Sequence, residues 1–105
     1  MLALEMSDKK NTIVGRRLRH LRKSLGYEYA STFARYLGIQ DNRWTNLENG
    51  FPLSKEIAFL LVRKVSGLDF NWLFLGRSDG LSRSLAQRLG VEPPPTPSRR
   101  NDNTV

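Results

Sequence analysis

The sequence contains no cysteine and a single histidine, His20. Without thiols the chain has neither a disulfide framework nor a thiolate metal site or nucleophile, and nothing indicates an oxidising compartment. No suitably spaced carboxylate pair and no glycine-rich loop after a strand are found either. We therefore expect no enzymatic activity, no cofactor and no metal, and we interpret His20 as a surface residue of a helix.

Long apolar runs are also absent. No run approaches the roughly 20 residues that a transmembrane helix requires. Residues 1–6 are too short and too acidic for a secretory signal. We expect a protein of the reducing cytoplasm without a membrane partner.

Acidic residues are scarce: ten Asp and Glu stand against 17 Lys and Arg, a formal net charge of +7. Between Val14 and Gly76 there are ten basic and five acidic residues. The basic residues are densest in the first predicted helix, at Arg16, Arg17, Arg19, Arg22 and Lys23. This balance favours a polyanionic partner such as nucleic acid. Binding of that helix to a membrane surface would need a free apolar face, and its apolar face is committed to the core.

Apolar residues recur at helical spacing through most of the chain, for example at Val14, Leu18, Leu21 and Leu25. The pattern predicts an all-α domain of five helices from about Asn11 to Gly76, with a further helix over Leu81 to Leu89. Residues 1–11 lack a persistent period and are interpreted as a flexible lead, and residues 12–90 as the domain. Residues 91–105, which include a Pro-Pro-Pro-Thr-Pro run, are expected to be a disordered tail.

Polar residues and glycines mark the predicted helix ends. Gly38, followed by the apolar Ile39, has the pattern of a left-handed helix cap. The expected N-caps are Thr12, Ser31 or Thr32, Ser54 and Asp69.

The stretch from Phe33 to Gly50 predicts a short helix, a turn and a second short helix. Trp44 and Leu47, spaced i and i+3, form the apolar side of the second helix and are assigned to the core. The opposite side carries Asn42, Arg43, Thr45 and Asn46. From the pattern alone, an ordinary helical hairpin and a helix-turn-helix both remain open.

Specific residues favour the helix-turn-helix. Ala34, Gly38, Ile39 and the Leu-Glu-Asn-Gly run 47–50 stand where the Cro/cI-type (XRE family) repressors carry an Ala, a turn Gly, an apolar residue and a Leu-Glu-x-Gly ending. The segment around Asp69 also resembles the Asp-Trp-Leu-Leu segment with which many of these domains end. The resemblance covers roughly residues 14–76. It implies a lambda-repressor-like fold and a transcriptional regulator, expected to be a repressor, that reads the major groove of double-stranded DNA with helix 41–49.

By this resemblance the base-reading positions are Gln40, Asp41, Asn42, Arg43 and Asn46. Asn and Gln pair with adenine and Arg with guanine, so most of these residue types suit the role. Asp41 is the exception, because a carboxylate is unfavourable near phosphates. It either accepts from a cytosine amino group or caps the helix in place of Gln40, and capping is the favoured interpretation.

The resemblance also implies contacts to DNA phosphates. They are assigned to Arg16, Arg19, Arg22, Tyr29 and Asn49. Many members carry Leu-Thr-Gln before the second helix, the Gln donating to a phosphate, whereas this chain has Tyr-Glu-Tyr at 27–29. Two roles are open for Tyr29: its hydroxyl replaces that contact, or its ring packs over the first turn. Arg22 and Glu48 match a family ion pair that ties the first helix to the reading helix, with some Arg22 donors left for a phosphate.

A homodimer is expected, because one half-site seldom distinguishes an operator from competing DNA. The interface is assigned to an apolar cluster of Phe70, Trp72, Phe74 and Leu75, which exceeds what one short helix hides. The alternative is that Trp72 and Leu73 complete the core while the phenylalanines cover the fourth helix. A rival function is a helical protein-interaction module or antitoxin on the same fold.

Overall fold

A computed structural model describes the backbone of residues 2–91 and the side chains of residues 12–91. The described residues form six α-helices and no strand, which confirms the predicted all-α class. The predicted disordered tail lies, from residue 92 onward, outside the described residues. The helices are α1 (Leu2–Ser24), α2 (Ala30–Leu37), α3 (Asp41–Glu48), α4 (Lys55–Lys64), α5 (Phe70–Leu75) and α6 (Arg83–Leu89).

Helix α1 begins earlier than the sequence pattern indicated. It starts at Leu2, so the expected start at Thr12 is wrong, and residues 2–11 are helical where a flexible lead was expected. The sequence L-A-L-E-M at 2–6 consists of good helix formers, and neither glycine nor proline occurs before Gly15. Backbone propensity therefore extends the helix past the point where its apolar stripe ends.

Three helix starts carry a side-chain cap. The backbone N–H of Ile57 donates to the Ser54 hydroxyl at 3.2 Å, and that of Asn71 to the Asp69 carboxylate at 3.2 Å, as expected. Ser82 accepts from the N–H of Leu85 at 3.2 Å, so α6 starts after Ser82 rather than at Leu81. These caps satisfy amides that have no partner within the helix.

The expected cap of α2 is wrong. Its N-cap residue is Tyr29, whose side chain makes no capping hydrogen bond, and neither Ser31 nor Thr32 precedes the helix. The Thr32 hydroxyl instead donates to the carbonyl of Tyr29 at 3.1 Å. A serine or threonine forms such local bonds inside a first turn as readily as at a cap, so residue type alone did not fix the boundary.

One hydrophobic core joins all six helices. Its fully buried large side chains are Leu18, Leu21, Phe33, Trp44, Leu61 and Leu73. The leucines of the last helix, Leu81, Leu85 and Leu89, are buried in the same core, and Val91 packs against it. Val91 therefore belongs to the domain, and placing it in the tail is wrong. None of the described helices is both long and apolar enough to cross a membrane.

Candidate nucleic-acid interface

The turn between α2 and α3 consists of residues 38–40 and is built on Gly38. Gly38 has a φ of 85°, and its N–H donates to the carbonyls of Ala34 and Arg35. The N–H of Ile39 also donates to Ala34, at 3.0 Å. This is the left-handed glycine cap that the sequence predicted, and it ends α2 abruptly enough for α3 to begin three residues later.

One side of α3 is fixed in the core. Trp44 is 0% exposed and its ring meets that of Phe33 edge-on, with centroids 4.9 Å apart. Leu47 is buried beside it, so the assignment of both residues to the core is confirmed. Because two of the eight residues of α3 are locked in this way, the orientation of its other side is determined.

The opposite side of α3 faces solvent. Gln40, Asp41, Asn42 and Arg43 are exposed, and Asn46 is half-buried. Asn46 lies four residues after Asn42 and three after Arg43 on one helix, so it is a surface neighbour of both. The structure therefore brings together the residues to which base reading was assigned.

Asp41 does not cap α3. It is the first residue of the helix, and Gln40 is the N-cap residue without a side-chain bond. The capping interpretation of Asp41 is wrong, because its position lies one residue too late for a cap. Its carboxylate lies 4.0 Å from the Arg35 guanidinium, where both groups are exposed. An acidic residue in the first turn is still favoured by the helix dipole.

Arg43 also has an acidic neighbour. Its guanidinium lies 3.8 Å from the carboxylate of Glu56 in the first turn of α4. Both side chains are largely exposed. The pair is weak in water and leaves Arg43 able to exchange this partner for another acceptor.

The predicted Arg22–Glu48 pair is confirmed and is buried. Arg22 Nε donates to Glu48 Oε2 at 2.6 Å, and Nη2 donates to Oε1 at 3.3 Å. Arg22 Nη1 donates to the carbonyls of Tyr27 and Glu28, at 2.9 and 2.6 Å. The Trp44 indole N–H donates to the same carboxylate. The network thus joins α1, the loop after it, and the middle and last turn of α3 through Trp44 and Glu48.

These contacts remove Arg22 from the predicted phosphate set. Its residue exposure is 5%, and four of its five N–H donors are already engaged within the protein. The expectation that it keeps donors for a phosphate is wrong. A side chain that satisfies a buried carboxylate and two carbonyls cannot also reach solvent.

The other assigned phosphate contacts lie at the surface. Arg16, Arg19, Tyr29 and Asn49 are exposed. Arg19 Nε lies 3.4 Å from Glu48 Oε1, which brings the basic side of α1 next to the end of α3. Tyr29 is 70% exposed, so the alternative in which its ring packs over the first turn is wrong. Its hydroxyl remains accessible.

Sequence reasoning missed three contacts that hold α1 in place. Gly15 packs so tightly on the end of α3 that a Cβ atom there would lie 2.5 Å from the Glu48 carbonyl oxygen. Arg17 Nη1 donates to the Leu73 carbonyl at 3.0 Å, and burial lowers the pKa of Arg17. His20 Nε2 lies 2.6 Å from the Leu89 carbonyl and must carry a hydrogen, since a carbonyl only accepts. None of these contacts has a local signal in the sequence.

The apolar cluster assigned to a dimer interface is divided by the fold. Trp72 is 3% exposed and Leu73 is fully buried, so both complete the core as the alternative had it, and the place of Trp72 in the interface is wrong. Phe70 is half-buried and meets the ring of Phe59 edge-on at 5.1 Å. Phe74 and Leu75 remain exposed, as does Phe59 on α4, which the sequence interpretation did not include. We call Phe59, Phe70, Phe74 and Leu75 the apolar patch.

The described residues thus form an all-α domain in which a short helix is anchored on one side and presents polar residues on the other. Comparisons of the chain with protein-family models, with curated proteins and with solved structures found no match.

Proposed function

We propose that this chain is a sequence-specific regulator of transcription, acting as a repressor, that binds double-stranded DNA and has a lambda-repressor-like fold. The observation that carries the proposal is the two-sided construction of α3. Its buried side is held by Trp44, Leu47 and Glu48, and its exposed side carries amide and guanidinium groups. Such groups hydrogen-bond to base edges, and a helix placed in this way enters the major groove in helix-turn-helix proteins.

The charge distribution supports a DNA partner. The chain has a net charge of +7, and Arg16 and Arg19 are exposed on α1, with Arg19 beside the end of α3. Contacts of these arginines to phosphates would orient the domain without reading sequence. Binding should then weaken steeply with added salt, because each neutralised phosphate releases counterions.

Selection of bound duplexes from a random pool tests the proposal directly. We expect enrichment of a defined sequence, which fluorescence anisotropy should confirm as tighter than scrambled DNA at the same salt concentration. Recovery of an unenriched pool, or no binding at 50 mM salt, would reject sequence-specific reading.

Replacing Arg43 with Ala should weaken binding to the selected site by about 1 to 3 kcal/mol and relax the preference at one base pair. The reason is the loss of a bidentate contact to a base edge. Anisotropy titrations against the selected site and its single-base variants measure both effects. Arg63→Ala, which removes an exposed arginine from the last turn of α4, is the control and should leave the base preference unchanged. Equal behaviour of the two variants would mean that α3 is not the reading helix.

Phosphate contacts predict a different pattern. Arg19→Ala should weaken binding to the selected and scrambled duplexes by nearly the same factor and reduce the salt slope by about one. Affinity is measured over a series of salt concentrations, and circular dichroism verifies that the variant is folded. A loss confined to the selected site would assign Arg19 to base reading.

Glu56→Gln should increase affinity for DNA by a few fold. The substitution removes the carboxylate that lies 3.8 Å from Arg43 and so frees the guanidinium for a base. Asp79→Asn is the matched control, because it removes the same charge from the loop before α6. If the two variants gain equally, the effect is due to overall charge and not to release of Arg43.

The domain is proposed to act as a homodimer through the apolar patch. Phe59 and Phe74, which line one surface depression with Phe70, are 59% and 41% exposed, and Leu75, next to Phe74 in the chain, is 63% exposed. Contiguous exposed apolar side chains of this kind commonly mark association sites. Phe74→Asp should convert a sedimenting dimer into a monomer at micromolar concentration with the helical spectrum unchanged. Phe51→Asp, at a 58% exposed site outside the patch, should leave the dimer intact. A wild-type chain that is monomeric both free and on DNA would refute the dimer.

The second candidate function is a protein-interaction module or antitoxin on the same fold. Two observations favour it: Asp41 is exposed on the face assigned to DNA, and the apolar patch is available to a different protein. The absence of duplex binding at low salt, together with an intact fold, would select this alternative.

A further inference from the structure

A groove of about 370 Å³ opens on the domain where α1 ends and where α2, α4 and α6 meet. Its lining includes Tyr27, Tyr36, Lys64, Ser84, Leu85 and Arg88. Helix α6 supplies one wall, and this helix lies outside the segment that resembles the repressor family. The groove is also separate from the exposed side of α3, since no residue of α3 lines it.

The groove combines aromatic side chains with positive charge. The rings of Tyr27 and Tyr36 stack with centroids 5.4 Å apart, and the Tyr36 hydroxyl donates to the Lys64 carbonyl at 2.9 Å, which holds the ring in position. Lys64 Nζ lies 5.2 Å from the centre of the Tyr36 ring. Arg88, from α6, also lines the groove and is exposed, and among the described residues neither Lys64 nor Arg88 forms an ion pair with a carboxylate. No acidic residue lines the groove.

We propose that this groove binds a small organic anion that carries an aromatic ring, such as an aromatic phosphate or carboxylate. The ring would contact the parts of Tyr27 and Tyr36 that line the groove, and the anionic group would face Lys64 and Arg88. The volume falls within the range of small-molecule sites. Aromatic rings pair favourably edge to face as well as by offset stacking, and a charge-assisted hydrogen bond from Arg88 would fix the anion.

A ligand in this groove would contact Tyr27, which belongs to the ring contacts that hold α3 in place. The Tyr27 ring lies 5.0 Å from that of Phe33, which in turn contacts Trp44 at 4.9 Å. The Tyr27 carbonyl also accepts from Arg22, the partner of Glu48. The proposal that the groove binds an aromatic anion does not depend on the proposed function. An effect of that ligand on DNA binding rests on the proposed function.

The test is a titration of the full chain with phenyl phosphate, and separately with benzoate, followed by ¹H–¹⁵N NMR. Inorganic phosphate supplies charge without a ring, and benzyl alcohol a ring without charge. We expect at least one aromatic anion to bind about tenfold more tightly than either fragment and to shift the amides of Tyr27 and Arg88. The indole N–H resonance of Trp44 should shift on binding. That of Trp72, which makes no ring contact with Tyr27, Phe33 or Trp44, serves as the internal reference.

Matched arginines on one helix make the result specific. Arg88→Gln should weaken binding of the aromatic anion about tenfold, whereas Arg83→Gln, on α6 but outside the groove, should not. On α4, Lys64→Gln should likewise weaken binding of the aromatic anion, whereas Arg63→Gln, outside the groove, should not. The proposal is overturned if both aromatic anions bind no more tightly than inorganic phosphate, or if the Arg83 and Arg88 variants weaken binding equally. Since the duplex-binding assay is not involved, this result is independent of the DNA proposal.

Discussion

Replacing Glu48 with Leu is expected to lower the free energy of unfolding by about 3 to 5 kcal/mol. The substitution leaves the Arg22 guanidinium buried without its counter-ion and deprives the Trp44 indole of its acceptor. A charge that loses its partner in a buried site keeps its full desolvation cost, which is why the effect exceeds that of any surface ion pair. Urea denaturation followed by circular dichroism measures it.

A double substitution separates charge burial from loss of packing. Arg22→Met combined with Glu48→Leu removes both charges, and a buried apolar pair is often as stable as the ions it replaces. We expect the double variant to regain a large part of the stability that Glu48→Leu loses. Glu56→Gln, at an exposed acid, should change stability by no more than about 0.5 kcal/mol. A loss below about 1 kcal/mol for Glu48→Leu would show that the network does not anchor α3.

Gly15→Ala is expected to destabilise the domain by about 3 kcal/mol and to impair the proposed DNA binding by the folded fraction. The added Cβ would lie 2.5 Å from the Glu48 carbonyl oxygen and 2.9 Å from that of Leu47, so α1 and α3 must separate. Backbone atoms cannot move aside as a flexible side chain would. Denaturation gives the stability, and anisotropy at a temperature where the variant is folded gives the binding.

The sign of the stability change in Gly15→Ala tests whether α1 packs closely on α3. In an unconstrained helix interior, Ala is about 1 kcal/mol more favourable than Gly, so a stabilised variant would contradict the close packing of α1 on α3. Gly90→Ala is the comparison: its φ is 72° but no atom lies within 4 Å of the added Cβ. It should cost about 1 to 2 kcal/mol, from the left-handed backbone alone.

Local signals in the sequence predicted much of the fold. Gly38, Ser54 and Asp69 act within one or two turns of the chain, and each lies at the helix end to which it was assigned. The apolar spacing of Trp44 and Leu47 likewise predicted which side of α3 is buried. At the starts of α1 and α2, by contrast, residue type did not decide the boundary. Helix-forming residues extend α1 past Thr12, and α2 begins before Ser31 and Thr32.

The errors and omissions concern contacts between distant parts of the chain. The side chain of Arg22 was expected to share its donors with a phosphate, yet the loop carbonyls of Tyr27 and Glu28 take them. Trp72 was assigned to the surface cluster, with the core as the alternative, and its ring lies in the core, while Phe59 from another helix packs against Phe70. Such outcomes depend on how helices meet in three dimensions, which periodicity along one helix does not contain.

The short length of α2 and α3 has a consequence for how the domain opens. Each has eight residues, and isolated helices below about 12 to 15 residues are marginal in water. Helix α3 therefore exists only while the core and the Arg22–Glu48 network hold it, and it cannot fray independently as a peptide would. Its amide hydrogens from Trp44 to Glu48 should exchange with solvent as slowly as those of Leu18 and Leu21 in α1, through one cooperative opening of the domain.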